Sequence, residues 1–241
     1  MGLLLQSELS MHAASTMKIP VMIELFAQAR TGKFRLDDEL SVKNEFKSIV
    51  DGSSYQLDSA DDSDAEVYAL IGKTMTLRQL CEKMITVSSN LATNLLIEKL
   101  GVEKIQQRVR FLEADGMKVL RGLEDGKAFR AGMINTTTAR ALLTLLEKIA
   151  QKRAGGPRDC EAMIEILKRQ KFNDGIPAGL PPGTVVAHKT GEITKINHDA
   201  AIAYATRPFV LVVLVRGIED KKKSDALIDA ITRILYRASQ P

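Results

Sequence analysis

The chain has 241 residues, of which 45% are hydrophobic and 27% charged, and its formal net charge is only +4 at pH 7. This composition is ordinary for a globular protein, and the length suffices for one large domain or two interleaved small ones. No apolar stretch is long enough to span a membrane. The lysine run at 221–223 has no interleaved aromatic residues, so it favours a solvated turn over a nucleic-acid interface.

The first amphipathic helix is predicted over residues 16–29, directly after the string Ser-Thr-Met-Lys at 15–18. Ser15 is a reasonable N-cap, and Pro20 is tolerated in the first turn. A spacing of three places Ser15 and Lys18 on one helical face. A partly desolvated lysine amine can take the proton of a serine hydroxyl and so activate it. By itself, the string is weak evidence, and a capping serine with a solvated lysine explains it better.

The middle of the chain is predicted to be helical. Residues 31–66 have the composition of a loop, and the acidic run 58–66 is predicted to be a solvated loop at the mouth of a site. Apolar residues at helical spacing then predict five helices, at 77–87 (capped by Thr76), 90–100, 102–112, 137–151 and 159–168. The glycine-punctuated segment 114–135 is predicted to be irregular.

The last third supplies the sheet. Valine-rich and alternating segments predict strands at 184–190, 200–205 and 209–215, with a turn at 206–208 between the last two. A closing helix follows at 224–238, with Ser224 as its cap and five inward residues, Leu227, Ile228, Ile231, Ile234 and Leu235. The predicted fold class is α+β, with an all-helical part at 15–170 and an antiparallel sheet part formed by 1–14 and 171–241.

Three short strings in this order resemble the signature of class A β-lactamases and penicillin-binding proteins, namely S-x-x-K at 15–18, Ser-Ser-Asn at 88–90 and Lys-Thr-Gly at 189–191. The segments Asn-Thr-Thr-Thr at 135–138 and His-Asp-Ala-Ala at 198–201 are similar to that superfamily too. The resemblance extends from about Ser10 to the C-terminus and is closest to class A. It implies an active-site cleft between the two parts, where Lys189 on a strand faces Ser15 on a helix.

The resemblance also implies the catalytic roles. Ser15 attacks a carbonyl group to form an acyl-enzyme, and Lys18 is the base for this step. Ser88 relays a proton to the departing nitrogen. Lys189 supplies positive charge for an anionic substrate and lowers the proton affinity of Lys18. No metal or cofactor is implied.

Four further residues are expected to bind the substrate by the same resemblance. Asn90 holds the substrate's side-chain amide, and Thr190 offers a hydroxyl to its carboxylate, with Gly191 completing the motif. The backbone N–H groups of Ser15 and Glu192 form the oxyanion hole.

Two positions depart from the class A pattern. Ser89 replaces the usual aspartate of the middle triplet, and Glu192 stands where class A enzymes carry a small or hydroxylated residue. A carboxylate at 192 would repel the carboxylate of a penicillin unless it turns away or pairs with Lys195. Both departures concern substrate preference rather than the nucleophile.

The resemblance predicts a glutamate that activates the water of deacylation, and Glu124 in the loop 121–127 is the best match. Asp125 is the neighbour that a one-residue shift would substitute. Ala128 occupies the position of the asparagine that normally helps to hold this water, so deacylation is predicted to be slow. The structural alternative is a surface carboxylate paired with Arg121 or Lys127, a kind of pair that contributes only about 0–1 kcal/mol.

The two cysteines are predicted to be buried free thiols. Cys81 is placed like a cysteine that forms a disulfide in many relatives, but Met22 stands at its usual partner position, and Cys160 lies on another apolar helix face. The three histidines, His12, His188 and His198, have no carboxylate partner at a recognisable spacing, so structural roles are favoured for them.

The leading hypothesis is a class A-type serine β-lactamase. The alternatives are a D-alanyl-D-alanine peptidase, a promiscuous esterase, or a binding or sensor domain that stays acylated. The expected partner is a small-molecule β-lactam or a D-Ala-D-Ala-type peptide, without nucleic acid or membrane. By resemblance the location is periplasmic or secreted, although residues 3–5 are too short for a signal-peptide core.

The short N-terminal segment has a predicted consequence for the sheet. Relatives begin with a helix and two strands, whereas residues 1–14 leave room for one short strand. An unpaired sheet edge is expected, and with it a homodimer through that edge or low stability.

Overall fold

The computed structural model describes residues 2–240 and confirms the α+β class. The helices are α1 Lys18–Arg30, α2 Ala65–Tyr68, α3 Leu77–Thr86, α4 Asn90–Leu100, α5 Val102–Phe111, α6 Gly126–Arg130, α7 Ala139–Ala150, α8 Pro157–Leu167 and α9 Lys221–Ser239. The strands are β1 Met11–His12, β2 Glu39–Ser41, β3 Phe46–Lys47, β4 Ser54–Tyr55, β5 Thr74–Thr76, β6 Thr136–Thr137, β7 Val185–Ile193, β8 Ile196–Tyr204 and β9 Phe209–Arg216. Two 3₁₀ turns lie at Ala14–Met17 and Ile176–Gly179.

The main sheet is antiparallel, in the order β7-β8-β9. The register places Lys189 opposite Ala200 and Thr190 opposite Asp199. Strands β7 and β8 are longer than predicted, because a tight turn at 194–195 joins them into one hairpin. Lys195 adopts a left-handed backbone there, with φ of 60°. The Lys-Thr-Gly string therefore lies well inside a rigid strand.

The predicted middle helices are confirmed within one or two residues at most ends. The Thr76 hydroxyl accepts a hydrogen bond from the Gln79 N–H at 3.1 Å, and the Gln79 side chain accepts one from the Thr76 N–H at 2.8 Å. This capping box fixes the start of α3. Thr138 caps α7 in the simpler way, by accepting a hydrogen bond from the Ala141 N–H at 3.1 Å.

Two predicted caps are wrong. Ser15 does not cap α1, because it lies within the preceding 3₁₀ turn and its side chain makes no capping bond. Asp220, not Ser224, caps α9, by accepting a hydrogen bond from the Lys222 N–H at 2.9 Å. The lysine run at 221–223 is exposed as predicted, but it forms the first turn of a helix rather than a turn between elements.

The inward face of α9 is narrower than predicted. Ile228 and Thr232 are fully buried, whereas Leu227 and Ile234 are 41% and 66% exposed. The helix packs on β8, β9 and the second 3₁₀ turn along one stripe. Helical periodicity identifies the apolar face, but the extent of burial depends on where the partner layer ends.

The predicted loop at 31–66 contains short strands. Strand β2 pairs with β5, and β3 pairs with β4. Within the acidic run, Asp64 is buried and caps α2. The N-terminal strand β1 pairs with β6 rather than with the main sheet.

The core is built around α1, which is buried from Lys18 to Gln28 and packs against α3, α4, α5 and α8. One apolar cluster runs from these helices to the near face of the sheet, and a second fills the space between the far face and α9. The two parts predicted from the sequence share the first cluster, and the division between them stays a prediction. No helix of residues 2–240 is long and apolar enough to cross a bilayer.

Candidate active site

Ser15 lies at the junction of the first 3₁₀ turn and α1. Side chains three residues apart eclipse each other in a 3₁₀ helix, so Ser15 and Lys18 share one face. The preceding residue, Ala14, has φ of 44°, a left-handed conformation that costs free energy and is often found at functional sites. Strands β7 and β8 pack against this turn. Ser15 is partly exposed to a cleft, while Lys18 is fully buried beneath it.

The amine of Lys18 is held by the Ser88–Asn90 string. Its Nζ donates to the Ser88 carbonyl at 2.6 Å, to Ser88 Oγ at 3.1 Å and to Asn90 Oδ1 at 2.9 Å. Burial and the neighbouring Lys189 hold the pKa of Lys18 well below its usual value, although Asp62 and Glu124 oppose this shift. Within residues 2–240, Nζ makes no hydrogen bond to Ser15 Oγ. The lysine is poised beside the nucleophile rather than bonded to it.

Ser88 lies between two buried amines. Its hydroxyl accepts hydrogen bonds from Lys18 Nζ and from Lys189 Nζ, each at 3.1 Å. Lys189 also donates to the Thr190 carbonyl at 2.8 Å. Burial lowers the pKa of Lys189 to about 7, against the opposing charge of Asp199. The backbone φ of 61° at Ser88 is again left-handed. The Ser88 side chain therefore points in a different direction from that of a residue at a regular helix end.

Asn90 joins the lysine to Glu124. Its carboxamide accepts from Lys18 through Oδ1 and donates to Glu124 Oε1 through Nδ2 at 2.9 Å. Glu124 Oε2 accepts from the Asp58 N–H at 3.1 Å, and the backbone of Glu124 is left-handed, with φ of 60°. Burial, Asp62 and Asp61 raise the pKa of Glu124, while its two hydrogen bonds lower it. Glu124 therefore lies behind the cleft wall, where it is hydrogen-bonded to Asn90, a residue that lines the cleft.

The alternatives for this loop do not fit the geometry. Asp125 points away from Asn90 and caps α6, accepting from Ser48 Oγ at 2.9 Å, the Ile49 N–H at 3.0 Å and the Ala128 N–H at 3.0 Å. The other alternative was a surface carboxylate at Glu124 paired with Arg121 or Lys127. Both of these residues bind other groups. Lys127 pairs with Asp51 at 2.6 Å, and the Arg121 guanidinium donates to backbone carbonyls.

Gly191 brings strand β7 against the nucleophile. A Cβ atom at this position would lie 3.0 Å from the Thr16 nitrogen and 3.1 Å from the Ser15 nitrogen. Such contacts are tighter than almost all real Cβ contacts, so a larger residue here would require the backbone at residues 15–16 to move by a few tenths of an ångström. Strand β7 therefore runs directly beside the Ser15 backbone, and Glu192, whose N–H is expected in the oxyanion hole, follows Gly191 in this strand.

The cleft has a volume of about 640 Å³, and Ser15, Ser88, Asn90, Thr190 and Glu192 line it. The loop at 58–66 reaches its mouth as predicted, but this loop is not merely solvated, since Asp62 binds the start of α4.

Glu192 does not pair with Lys195 as the sequence suggested. Its nearest cation is Lys221 at 3.9 Å, whereas Lys195 lies 3.7 Å from Glu219. Lys221 also contacts Asp174 and Asp225, so Glu192 shares one cation with two other carboxylates. Neither the turn of the β-hairpin nor the start of α9 was predicted well enough to anticipate this pairing.

His188 pairs with a carboxylate that no spacing in the sequence indicated. Its Nδ1 lies 2.9 Å from Asp199 Oδ1 and its Nε2 lies 3.2 Å from Asn173 Oδ1. Asp199 Oδ2 also accepts from the Ile176 N–H at 2.9 Å. Asp199 therefore ties the hairpin to the segment before it. Only the register of β7 on β8 could have revealed this pair.

The remaining predictions on cysteine and histidine hold. Cys81 and Cys160 are free and buried. His198 lies between two backbone groups, the His12 carbonyl at 3.0 Å and the Val215 N–H at 3.2 Å. His12 Nδ1 accepts from the Ala14 N–H at 2.9 Å and so supports the turn that carries Ser15. Within residues 2–240, no group of three or more His, Cys, Asp or Glu side chains could hold a metal ion.

Known proteins are similar to this chain in sequence and in fold. A β-lactamase from Bacillus licheniformis is 27% identical over 230 residues, covering 87% of this chain and 75% of the relative. A β-lactamase from Streptomyces albus G is 29% identical over 189 residues, covering 75% and 60%. Among solved structures, that of PBP-A superposes with a TM-score of 0.82 at 26% identity, covering 96% of this chain and 82% of the other. A β-lactamase from Sphaerobacter thermophilus has a TM-score of 0.84 at 24% identity, covering 97% and 85%, and shows the same fold.

The family model described as "Beta-lactamase enzyme family" matches residues 3–239, which is almost the whole chain. The match includes the 3₁₀ turn with Ser15, the start of α4 and strand β7, which together enclose the cleft. The chain belongs to the β-lactamase enzyme family.

Proposed function

We propose that this protein hydrolyses the amide bond of β-lactams through an acyl-enzyme on Ser15. The observation that carries the proposal is one hydrogen-bonded network, Lys189–Ser88–Lys18–Asn90–Glu124, beneath the cleft that exposes Ser15. It offers two amines of lowered pKa and one carboxylate of raised pKa around a single nucleophile. Relatives bearing the name β-lactamase support the same reaction.

Acylation follows from the two lysines. Neutral Lys18 accepts the proton of Ser15 Oγ as this oxygen bonds to the lactam carbonyl carbon. The N–H groups of Ser15 and Glu192 stabilise the resulting oxyanion. When the C–N bond breaks, the nitrogen takes the proton of Ser88 Oγ, and the Lys18 ammonium, which carries the proton from Ser15, returns a proton to Ser88. The product is an ester on Ser15 with the ring opened.

Deacylation needs a base for water, and Glu124 is the candidate. It takes one proton from a water whose oxygen attacks the ester carbonyl, and Ser15 leaves with a proton returned to it. Desolvation raises the pKa of Glu124, which makes it a stronger base. Ala128 is fully buried and offers no amide to hold the water, so this step limits the turnover rate.

The binding of a negatively charged substrate depends on groups at the cleft wall that act in opposite directions. Lys189 and Thr190 attract the carboxylate of a β-lactam, while Glu192 repels it. Glu192 is about half exposed, and Lys221 neutralises it only from 3.9 Å. We expect a low affinity for substrates with a carboxylate near Glu192 and a preference for those without one.

A substrate panel tests the activity. The wild-type protein is mixed with a chromogenic cephalosporin, a D-Ala-D-Ala peptide and a simple phenyl ester, and both product and protein mass are followed. We expect repeated turnover of the cephalosporin, with a protein adduct present during turnover. Peptide cleavage without lactam turnover indicates the peptidase, and ester cleavage alone indicates the esterase. A mass increase that never decays indicates a binding or sensor protein.

We also propose that β9 pairs with β9 of a second copy. Within residues 2–240, β8 is the only strand paired with β9, an eight-residue strand whose sole charge is the terminal Arg216. Exposed edges of this kind are templates for pairing, and an antiparallel edge can pair with its own copy. If two copies of β9 pair antiparallel about the centre of the strand, Arg216 of each copy lies opposite the first residue of the other strand. The two arginines are then far apart and do not repel each other.

Sedimentation of the wild-type protein tests this pairing, and we expect a dimer at micromolar concentration. A lysine at the middle of an edge strand opposes pairing, so a folded Val212→Lys should sediment as a monomer. The Val212 side chain packs against the first apolar cluster, so circular dichroism is used to check that the variant is folded. Val185→Lys, at the exposed start of β7, is the matched control and should remain a dimer. A wild-type monomer contradicts the proposal.

The location is proposed on the family alone. Members are typically periplasmic or secreted, and we propose the same compartment for this chain.

A further inference from the structure

Asp62 lies at the cleft wall and binds the first turn of α4. Its Oδ2 accepts hydrogen bonds from the N–H groups of Asn90 at 2.8 Å and Leu91 at 3.0 Å. The first N–H groups of a helix have no partner within the helix. Ser89 takes the third of them, that of Ala92, at 3.3 Å. Loop and helix together therefore satisfy this helix end.

Asn90, whose N–H donates to Asp62, also links Lys18 to Glu124 in the hydrogen-bonded network. Asn90 is the first residue of α4, and its carboxamide connects Lys18 to Glu124. A shift of this turn would change both contacts at once. Asp62 fixes the main chain of Asn90 from a loop 28 residues earlier, with a hydrogen bond from an N–H to a carboxylate, which is stronger than a neutral one.

Asp62 also contributes charge. The charged groups that act on Lys18 are Lys189, which disfavours its protonated form, and Asp62 and Glu124, which favour it. Asp62 thus opposes part of the effect of burial on Lys18. It acts on Glu124 as well, where a like charge favours the protonated carboxyl.

We propose that Asp62 is a positioning residue of the reaction, which pins Asn90 at the start of α4 and adjusts the charge around Lys18. The inference rests on the proposed function. The chain has Ser89 where the class A triplet has an aspartate, and Asp62 brings a carboxylate to the same helix end from a different loop.

Two variants separate the roles. Asp62→Asn keeps an oxygen acceptor and removes the charge, while Asp62→Ala removes both. The acylation rate with benzylpenicillin is measured against pH by rapid quench and protein mass. Lys18 acts as a base when neutral, and loss of the carboxylate lowers its pKa. The acid limb of Asp62→Asn should therefore shift to lower pH by about half a unit to one unit.

Asp62→Ala should show the same shift and a plateau rate lower by roughly tenfold, since Asn90 is no longer held in place. Amide hydrogen exchange at Asn90 and Leu91 should accelerate in Asp62→Ala and much less in Asp62→Asn. The matched control is Glu66→Gln, which removes a charge from the same acidic run, because the Glu66 carboxylate pairs with Lys83 and, within residues 2–240, accepts no hydrogen bond from α4. Glu66→Gln should leave the acid limb of the acylation rate, its plateau value and the amide exchange at Asn90 and Leu91 unchanged.

The outcomes distinguish this inference from the proposed function. A wild-type protein that forms no adduct overturns the proposed function and the catalytic role of Asp62 with it, while the exchange data still test the anchoring of α4. A second outcome overturns the role of Asp62 alone. In that outcome the wild type acylates, Asp62→Asn has an unshifted acid limb, and Asp62→Ala has an unchanged plateau rate and unchanged amide exchange.

Discussion

Ser15→Ala is expected to abolish covalent labelling by penicillin and to reduce lactam hydrolysis on the order of a millionfold, the scale seen when a serine nucleophile is removed from a hydrolase. Lys18, Ser88 and Asn90 remain in such a variant, but none of them can form the ester. The fold should survive, because within residues 2–240 the Ser15 side chain makes no capping bond and no other hydrogen bond that the change would break. We expect stability within about 0.5 kcal/mol of wild type.

The control is another serine of the same cleft. Ser63 lines it and donates to the Val87 carbonyl at 2.9 Å, but it has no lysine one turn away. Ser63→Ala should be labelled like the wild type. Labelling that persists in a folded Ser15→Ala variant refutes Ser15 as the sole nucleophile.

Glu124→Gln should slow deacylation by about a hundredfold to ten-thousandfold, the usual contribution of general-base assistance. Glutamine keeps an oxygen for one of the two donors that Glu124 binds, the Asp58 N–H or Asn90 Nδ2, but cannot take a proton from water. The plateau rate of acylation should be largely unchanged, because Lys18 retains its bonds to Ser88. Loss of the Glu124 charge lowers the pKa of Lys18 and should shift only the acid limb of acylation to lower pH. The measurement is the decay of the adduct mass after excess penicillin is removed.

Asp125→Asn is the comparison for this variant. It should deacylate at the wild-type rate and melt at a lower temperature, because the Asp125 carboxylate accepts three hydrogen bonds in the α6 cap. If both variants deacylate like the wild type, the loop contains no base. The lactamase assignment then yields to the peptidase or esterase interpretation.

The sequence predicted the candidate site where local chemistry determines it. Ser15 and Lys18 are one turn apart, and Ser88 and Asn90 lie around a helix start, so each string carries its own geometry. The structure brings these residues together with Lys189, which lies far along the chain. What the sequence could not supply were contacts between strings, such as Asp62 with Asn90 or Lys221 with Glu192. These depend on how loops pack, and loops carry no periodic signal.

The same distinction applies to the fold. Helical periodicity and the Thr76 cap located α3 almost to the residue, because capping is a local interaction. Strands β7 and β8 were predicted too short, because the turn that joins them at 194–195 lacks the glycine or asparagine that usually marks one. The exposed Leu227 and Ile234 of α9 were predicted to face inward because periodicity does not reveal where the sheet beneath a helix ends.

The central claim is tested most directly by mapping the adduct that Glu124→Gln traps. The variant is incubated with benzylpenicillin, digested and sequenced by tandem mass spectrometry. We expect one penicilloyl group, attached to the peptide that contains Ser15 and located on the Ser15 oxygen. A penicilloyl group on any other residue, or an acylation-competent protein with Ser15 unmodified, would contradict it.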